Sequence, residues 1–405
     1  MANYLMDVSL PEFNQVPEIT MTRDLMAKIG QGNQWLFNDV LADVPGQYKG
    51  LAKLKFKGKV VGYGALDSGS ELQFRFLSWE NDYNKLQKDL WNRFLNAKSK
   101  RVSFLSDDSK MKTNSFRFIF GESDFFPGIV IDIFGDYASM QLDRPWFKKI
   151  WNLEAWSSLL LKEFPFLKGI YLKAKTKDGE DGQILFGHLP QEIIFLENGI
   201  KFKTSLSKAA KTGFFLDQRD NRFMISKVSE NKKVANFFSY TGGFSLFAAL
   251  GRCREVHSID IAPEAIKVCE EQFALNDFKV KRENICGDAF EWLEKYDKQK
   301  NFFDLVIIDP PSFAPNQKSK ENAIKAYVKC FSLGAKIVAP NGMIAFSSCS
   351  AHVTAADFQT VLQNALALAK RQGQVLYQGG SPLDHPYPLA MPELNYLKFS
   401  LLALN

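Results

Sequence analysis

The feature that most restricts the fold of this 405-residue chain is the alternation of short apolar runs and amphipathic stretches in its C-terminal half. The apolar runs have the composition of β-strands, and the stretches between them carry apolar residues at helical spacing. In chain order the predicted elements are strand 233–238, helix 242–250, strand 256–260, helix 263–276, strand 303–309, helix 321–338, strand 342–348 and helix 355–370. Because strands that alternate with helices form parallel sheets, we predict a parallel, doubly wound α/β sheet within residues 191–405.

The residues before this region predict two smaller domains. Between Ile19 and Trp79, short β-like runs are separated by Gly and Pro, which is the pattern of a small β-barrel. The next segment mixes both periodicities, with predicted helices at 84–96 and 147–164 and predicted strands at 116–120, 128–135 and 169–172. We therefore predict three domains: an N-terminal barrel (1–83), a small central α+β domain (84–190) and the α/β domain (191–405).

Composition and cysteine usage narrow the class of protein. Hydrophobic residues make up 46% of the chain, and no apolar run approaches the roughly 18 residues that a membrane-spanning helix needs. The N-terminus lacks the basic segment of a secretory signal, and five widely spaced cysteines argue against a disulfide framework or a zinc site. We expect a cytoplasmic protein with reduced thiols, no metal and no membrane partner. The net charge of +6 is compatible with a polyanionic partner.

Glycine and acidic residues stand at the ends of four strands of the predicted sheet. The first strand runs into Ser239-Tyr240-Thr241-Gly242-Gly243, where glycine lets the backbone approach a ligand at a helix N-terminus. The later strands end at Asp260, Asp288 and Asp309-Pro310-Pro311. Asp260 ends the second strand, where such folds hold a ribose with a carboxylate. Asp309, which precedes Pro-Pro, has a second interpretation, because an acid at such a position can also cap a helix. Because the turn lacks G-x-G-x-x-G, we predict a nucleoside cofactor without a pyrophosphate, and S-adenosylmethionine (SAM) fits best.

One cysteine differs from the others in its surroundings. Cys349 follows the strand after Asp309 and stands among serines, a polar setting in which a thiolate can exist. The others lie within or beside apolar stretches and are predicted core residues: Cys253, Cys269, Cys286 and Cys330. Methylation of a pyrimidine at C5 needs a thiolate, because C5 becomes nucleophilic only after a thiolate adds to C6. In that reaction Asp309 would hydrogen-bond the ring at N3.

A run of alternating lysines stands in the N-terminal region. Lys53, Lys55, Lys57 and Lys59 would share one face of a strand, since side chains in a strand alternate between its two faces. A solvated strand face is one interpretation. The other is a phosphate-binding face for RNA.

Several motifs along essentially the whole chain resemble the RlmI-type 23S rRNA (cytosine-C5)-methyltransferases. They are Gly121-Glu122-Ser123-Asp124, Pro127-Gly128, Lys211-Thr212-Gly213-Phe214-Phe215-Leu216-Asp217-Gln218-Arg219-Asp220, Phe238-Ser239-Tyr240-Thr241-Gly242-Gly243-Phe244, Asp309-Pro310-Pro311, Ser348-Cys349-Ser350 and Asp384-His385-Pro386. The resemblance implies a PUA RNA-binding domain at the N-terminus, which contains the lysine run. It also implies a strand-strand-helix-strand-strand domain in the middle and a class I, Rossmann-like methyltransferase domain at the end.

The resemblance further implies roles for single residues. The loop 239–243 would hold the methionine part of SAM, Asp260 the ribose and Asp288 the adenine side. Gln218 and Arg219 would close the cofactor site from the segment before the first strand. The full implied set of cofactor-binding residues is Gln218, Arg219, Ser239, Tyr240, Thr241, Gly242, Gly243, Asp260, Asp288, Asp309 and Pro310.

We thus predict an enzyme that uses SAM to form 5-methylcytosine in 23S rRNA, with Cys349 and Asp309 as catalytic residues. The expected partner is 23S rRNA or a large-subunit precursor. Two alternatives stay open: a relative that methylates another ring position, such as guanine N7, and an RNA-binding protein that keeps the fold without catalysis. The target nucleotide, the group that removes the C5 proton and the oligomeric state, with a homodimer among the options, also stay open.

Overall fold

The computed structural model describes residues 4–105, 112–173, 182–207, 214–314 and 316–405. The chain divides into two compact units. The first comprises Met1–Leu196, Lys203–Phe214 and Leu383–Pro392, and the second comprises Glu197–Phe202, Phe215–Pro382 and Glu393–Asn405. Leu383–Pro392 therefore belongs to the first unit although it lies late in the sequence, and the division into three domains stays a prediction.

The first unit begins with a six-stranded, barrel-like sheet. Its helices are α1 (Leu10–Gln15) and α2 (Met26–Gly30), and its strands are β1 (Glu18–Met21), β2 (Trp35–Phe37), β3 (Leu41–Ala42), β4 (Lys49–Phe56), β5 (Lys59–Asp67) and β6 (Leu72–Ser78). The strand order is β2-β6-β5-β4-β1-β3. Apolar side chains such as Ile19, Leu54 and Phe74 fill its interior, as the alternating pattern predicts.

The lysine run does not form one face of a single strand, and this part of the prediction is wrong. Strand β4 ends at Phe56, and Lys57 and Gly58 adopt left-handed backbone angles with φ of 49° and 77°. Two such residues form the tight turn of a β-hairpin, so Lys59 opens the next strand opposite Phe56. Lys57 and Lys59 are therefore exposed at the tip of this hairpin, here called the lysine hairpin.

The remainder of the first unit is an α+β layer around an aromatic core. Its elements are α3 (Tyr83–Lys100), α4 (Val102–Leu105), β7 (Ser115–Phe120), β8 (Ile129–Phe134), β9 (Tyr137–Leu142), α5 (Leu153–Glu163), β10 (Gly169–Lys173) and β11 (Gln183–Gly187), with the strand order β11-β10-β9-β8-β7. The predicted helix 147–164 begins later, at Leu153, because the Asn152 side chain caps it by accepting a hydrogen bond from the Ala155 amide at 2.9 Å. The chain then forms a two-stranded sheet, β12 (Ile193–Glu197) and β13 (Ile200–Thr204).

The second unit contains the predicted α/β sheet. Its helices are α6 (Arg219–Val228), α7 (Gly243–Leu250), α8 (Pro263–Leu275), α9 (Ala289–Lys298), α10 (Lys320–Lys336) and α11 (Ala355–Ala369). Its strands are β14 (Lys233–Phe237), β15 (Glu255–Asp260), β16 (Lys281–Cys286), β17 (Phe303–Ile308), β18 (Val338–Ser348), β19 (Gly373–Gly379) and β20 (Lys398–Leu404). The strand order is β16-β15-β14-β17-β18-β20-β19.

The sheet is not entirely parallel, and the prediction is corrected here. Strand β20 runs antiparallel to both β18 and β19 and lies between them. The sequence analysis did not find β20, because the alternation of strands and helices that it followed ends with α11. The strands β14 to β18 pair in parallel, so their carboxyl ends share one edge of the sheet, here called the strand-end edge.

The predicted fold class is confirmed by this architecture: a barrel-like sheet, an α+β layer and a Rossmann-like sheet. Within the described ranges, no helix has the length and apolar character needed to cross a membrane.

Candidate active site

The loop after β14 has an unusual backbone. Phe238 and Tyr240 have positive φ angles of 58° and 48°, and Gly242 has a φ of 82°. A Cβ atom at Gly242 would also collide with the Cys269 sulfur, so both the backbone angle and the space require glycine. The Tyr240 amide donates to the Asp260 carboxylate at 2.7 Å, which ties the loop to the end of β15.

Two hydroxyl groups of this loop fit a bound polar ligand. Among the described residues, the Ser239 and Thr241 side-chain oxygens are buried without a hydrogen-bond partner. Buried polar groups normally have a partner, so orphaned hydroxyls beside a required glycine are consistent with a ligand that contacts the loop. Gly243 begins α7, whose first backbone amides have no partner within the helix.

The two predicted acids beside this loop differ in how they are held. The Asp260 carboxylate accepts from the amides of Tyr240 and Ala262 and remains half-buried at the end of β15. The Asp288 carboxylate caps α9 by accepting from the amides of Phe290 and Glu291 at 2.8 and 3.1 Å. Both acids therefore lie at the strand-end edge, and Asp288 also has a structural role.

Asp309 belongs to a hydrogen-bonded network that the sequence did not reveal. The Gln218 amide nitrogen donates to Asp309 at 3.0 Å and to the Ser347 hydroxyl at 2.7 Å. The Asn221 amide nitrogen in turn donates to the Gln218 oxygen at 2.7 Å. Gln218 is buried, and its two hydrogen bonds join the ends of β17 and β18. Pro310, the residue after Asp309, is also buried. The spacing of Gln218 and Asn221, one helical turn apart, was the available signal.

Arg219 is buried among charged groups. Its Nε lies 3.8 Å from the Glu197 carboxylate. Arg222, which the sequence analysis did not single out, binds the same carboxylate with two nitrogens at 2.6 and 2.7 Å. The ion pairs of Glu197 with Arg219 and Arg222 fix the start of α6, and they therefore fix the position of Gln218, the residue before this helix. The Lys211-Thr212-Gly213 part of the preceding motif lies outside the described residues.

Cys349 directly follows β18 and is half-buried, unlike three of the other cysteines. Burial raises the pKa of Cys253 and of Cys269 to about 12, and it raises the pKa of Cys330 still further, which fits their predicted place in the core. Cys286 is exposed, so its predicted place in the core is wrong.

Hydroxyl groups surround the residue after Cys349. The Ser350 hydroxyl lies 2.9 Å from the Ser312 hydroxyl and 2.7 Å from that of Tyr327. Burial raises the pKa of Tyr327, so its phenol is neutral. The backbone carbonyl of Ser350 accepts from Lys398, a buried residue that the sequence analysis missed.

The structure thus brings Gln218, the loop 239–243, Asp260, Asp288, Asp309 and Cys349 to the strand-end edge of one unit. The lysine hairpin belongs to the other unit. There the Lys53 ammonium donates to the Asn14 carbonyl at 3.1 Å, and the Lys55 ammonium lies 2.9 Å from Glu18.

Comparison with known families defines the class of this fold and site. Residues 170–363 match the family model described as S-adenosylmethionine-dependent methyltransferase. Together with the curated relatives described next, this match shows that the chain is a SAM-dependent methyltransferase and that SAM is its cofactor.

Curated relatives define the family more narrowly. A ribosomal RNA large subunit methyltransferase from Deinococcus radiodurans is 35% identical over 300 residues, which cover 72% of this chain and 73% of the relative. Ribosomal RNA large subunit methyltransferase I of Erwinia tasmaniensis is 31% identical, with 90% of this chain and 93% of the relative covered. The same enzyme of Klebsiella pneumoniae is 30% identical, with 94% and 97% covered. The chain belongs to the ribosomal RNA large subunit methyltransferase I family, which confirms the resemblance.

Solved structures share the fold over nearly the whole chain. A Streptococcus mutans protein provisionally described as a SAM-dependent methyltransferase matches with a TM-score of 0.82 at 24% identity, covering 96% of this chain and 100% of the other. A provisionally described methyltransferase in complex with S-adenosylhomocysteine has the same coverage and identity and a TM-score of 0.83.

Proposed function

We propose that this chain methylates cytosine at C5 in 23S rRNA or a large-subunit precursor. The observation that carries the proposal is that Asp309 and Cys349 follow two neighbouring parallel strands, β17 and β18, so that both residues lie at one edge of the sheet. The names of the relatives, ribosomal RNA large subunit methyltransferases, support the class of substrate. Such a substrate places the enzyme in the cytoplasm.

SAM fits the groups that follow β14, β15 and β16 at the same edge of the sheet. The orphaned hydroxyls of Ser239 and Thr241 and the close approach allowed by Gly242 suit the methionine part. Asp260 would accept hydrogen bonds from the ribose, and Asp288 would lie on the adenine side. Gln218 and Arg219 would close the site, Gln218 through its bond to Asp309. When bound, SAM supplies a methyl group on a positively charged sulfur, which is an electrophile.

The residues of the chain prepare the cytosine for that electrophile. The Cys349 thiolate adds to C6, and the electron pair of the C5–C6 double bond moves so that C5 becomes nucleophilic. As the negative charge moves onto the ring, N3 takes up a proton from solvent, and the N3–H group then donates to the Asp309 carboxylate, which stabilises the adduct. After C5 is methylated, loss of the C5 proton and expulsion of the thiolate restore the aromatic ring.

The lysine hairpin supplies a contact for the RNA backbone. Lys57 and Lys59 are exposed and suited to phosphate contacts, whereas Lys53 and Lys55 share Glu18 as an ion-pair partner. We therefore expect the two hairpin-tip lysines to contribute more to RNA binding than the other two.

Trapping with 5-fluorocytosine tests the mechanism. Wild-type protein with SAM and rRNA that carries 5-fluorocytosine should form a complex that survives denaturation, because fluorine at C5 does not leave as a proton does. Peptide mapping should locate the link at Cys349. A protein that methylates rRNA but never traps the fluorinated base would contradict C5 chemistry and favour guanine N7, and RNA binding without any methyl transfer would favour a binding protein.

A further inference from the structure

We propose that Lys398 is a positioning residue for Cys349, whose thiolate its ammonium group stabilises. The inference rests on the proposed function, because it explains how Cys349 reaches the form that adds to C6. Lys398 is in none of the sequence motifs named above, and it lies on the antiparallel strand β20.

The pairing of two strands fixes Lys398 next to Cys349. Lys398 is the first residue of β20 and pairs across the sheet with Ser348, the last residue of β18. Its ammonium group donates to the carbonyl oxygen of Ser350 at 2.6 Å and to that of Tyr396 at 2.7 Å. Because Cys349 stands between Ser348 and Ser350, the ammonium group is anchored to the backbone that flanks Cys349.

Burial of the Lys398 charge is unfavourable for the stability of the folded protein. Lys398 is 8% exposed in a strand whose other residues are almost all buried and apolar. Burying a charge is unfavourable unless the charge is paired, and an apolar residue in its place would avoid that penalty. The residue is therefore better explained by what its charge does than by packing.

The charges around Lys398 favour an ion pair with Cys349. Burial lowers the pKa of Lys398 to about 8, while the negative charges of Cys349 and Asp357 act in the opposite direction. Asp357 lies on α11 and is already paired with Lys320 at 2.7 Å. Coulomb attraction is mutual, so the cation that Cys349 stabilises also favours the Cys349 thiolate. Tyr327, on α10, also responds to the charge of Cys349, and burial keeps its phenol neutral.

The proposal defines a pH window. The thiol proton of Cys349 passes to solvent, and the resulting thiolate pairs with the ammonium group, with no other bond made or broken. Because the pKa of Lys398 is lowered to about 8, the ammonium group is present below that pH and is lost above it. The support for the thiolate should therefore be largest below pH 8 and should fade above it.

The test measures alkylation of Cys349 by iodoacetamide in the full-length protein, across pH 6 to 10, with peptide mass spectrometry. At pH 7 we expect Lys398→Met to slow alkylation of Cys349 by about tenfold or more, since a nearby opposite charge shifts a pKa by about one to three units. The rates of wild type and variant should converge above about pH 9. Exposed Cys286 serves as an internal control whose rate should not change.

A second variant keeps the test decisive if Lys398→Met fails to fold. Lys398→Arg retains a cation that stays charged throughout this pH range, so its Cys349 should remain reactive at pH 7 and keep that advantage above pH 8. Calorimetric SAM binding confirms that each variant is folded. Equal alkylation profiles for wild type and folded Lys398→Met would overturn the proposal, as would a folded Lys398→Arg protein whose Cys349 reacts about tenfold more slowly than that of wild type at pH 7.

Alkylation separates this proposal from the proposed function, because it needs neither RNA nor SAM. If 5-fluorocytosine is never trapped but the alkylation profile shifts, the ion pair stands and the C5 mechanism fails. If trapping occurs at Cys349 but the profiles coincide, the mechanism stands and Lys398 has no part in it.

Discussion

The strand-end edge and the lysine hairpin use charged residues in opposite ways. At the edge, Asp309 is held by a buried glutamine, and Lys398 is held by two backbone carbonyls. At the hairpin, Lys57 and Lys59 are exposed on a two-residue turn. Groups held by such bonds have fixed positions, and burial lowers the pKa of Lys398 to about 8, which suits chemistry on one atom, whereas exposed charges adapt to a flexible polyanion. Substitutions should therefore change the reaction at the edge and the salt dependence of binding at the hairpin.

The largest effect should come from Cys349. Cys349→Ala should fold, bind SAM with unchanged affinity and transfer no methyl group to rRNA, because the C6 adduct cannot form. Radiolabelled methyl transfer and calorimetry measure the two properties. Cys253→Ala removes a buried cysteine outside the site and should keep its activity. Methyl transfer by Cys349→Ala would contradict the covalent mechanism.

The buried ion pair behind the edge should have the next largest effect, on stability. Glu197→Gln leaves the buried Arg222 without its anion and should lower the free energy of unfolding by about 3–5 kcal/mol. The exposed pair of Glu230 and Arg252 is the matched control, where Glu230→Gln should cost about 0–1 kcal/mol. Denaturant titration compares the two, and similar losses would show that burial does not distinguish them.

A smaller effect is expected for cofactor binding. Asp260→Ala should weaken SAM binding by about 1.5–3 kcal/mol, the range for a hydrogen bond to a charged group. Glu321→Ala, which removes an exposed acid at the start of α10, should leave the affinity unchanged. Unchanged affinity in a folded Asp260→Ala protein would remove Asp260 from the cofactor site.

The smallest effect should appear at the lysine hairpin. Neutralising Lys57 or Lys59 should reduce the slope of log affinity for RNA against log salt by roughly one unit or less, because each phosphate contact releases condensed counterions. Lys53→Gln should change the slope less, since Lys53 already bonds to the Asn14 carbonyl. If the slope stays the same after all four lysines are replaced, the lysines do not contact phosphates, and the alternative interpretation, a solvated surface, is favoured.

The sequence predicted best what depends on local periodicity and topology. The loop 239–243 and Asp309 follow the strands β14 and β17, and Asp260 is the last residue of β15. Parallel pairing brings such strand ends together without any knowledge of side-chain contacts. The lysine run failed because a turn at Lys57 and Gly58 depends on backbone angles that a charge pattern does not reveal.

Contacts between distant segments were beyond a sequence argument. Gln218 and Asp309 are 91 positions apart, and Lys398 reaches Ser350 across 48 positions. Only the tertiary pairing of β18 with β20 brings Lys398 to the end of β18, where Cys349 follows, and β20 lies outside the alternating pattern, which ends with α11. Local sequence patterns do not predict polar networks that join such distant segments.

The position of β20 has a consequence for how a ribosome makes this protein. Both neighbours of β20 emerge from the exit tunnel before it, so β18 and β19 have exposed hydrogen-bonding edges while the intervening strand is still being synthesised. The nascent chain cannot close this sheet, or bring Lys398 to Cys349, until β20 has followed. During that interval the unpaired edges of β18 and β19 are open to pairing with strands of other chains.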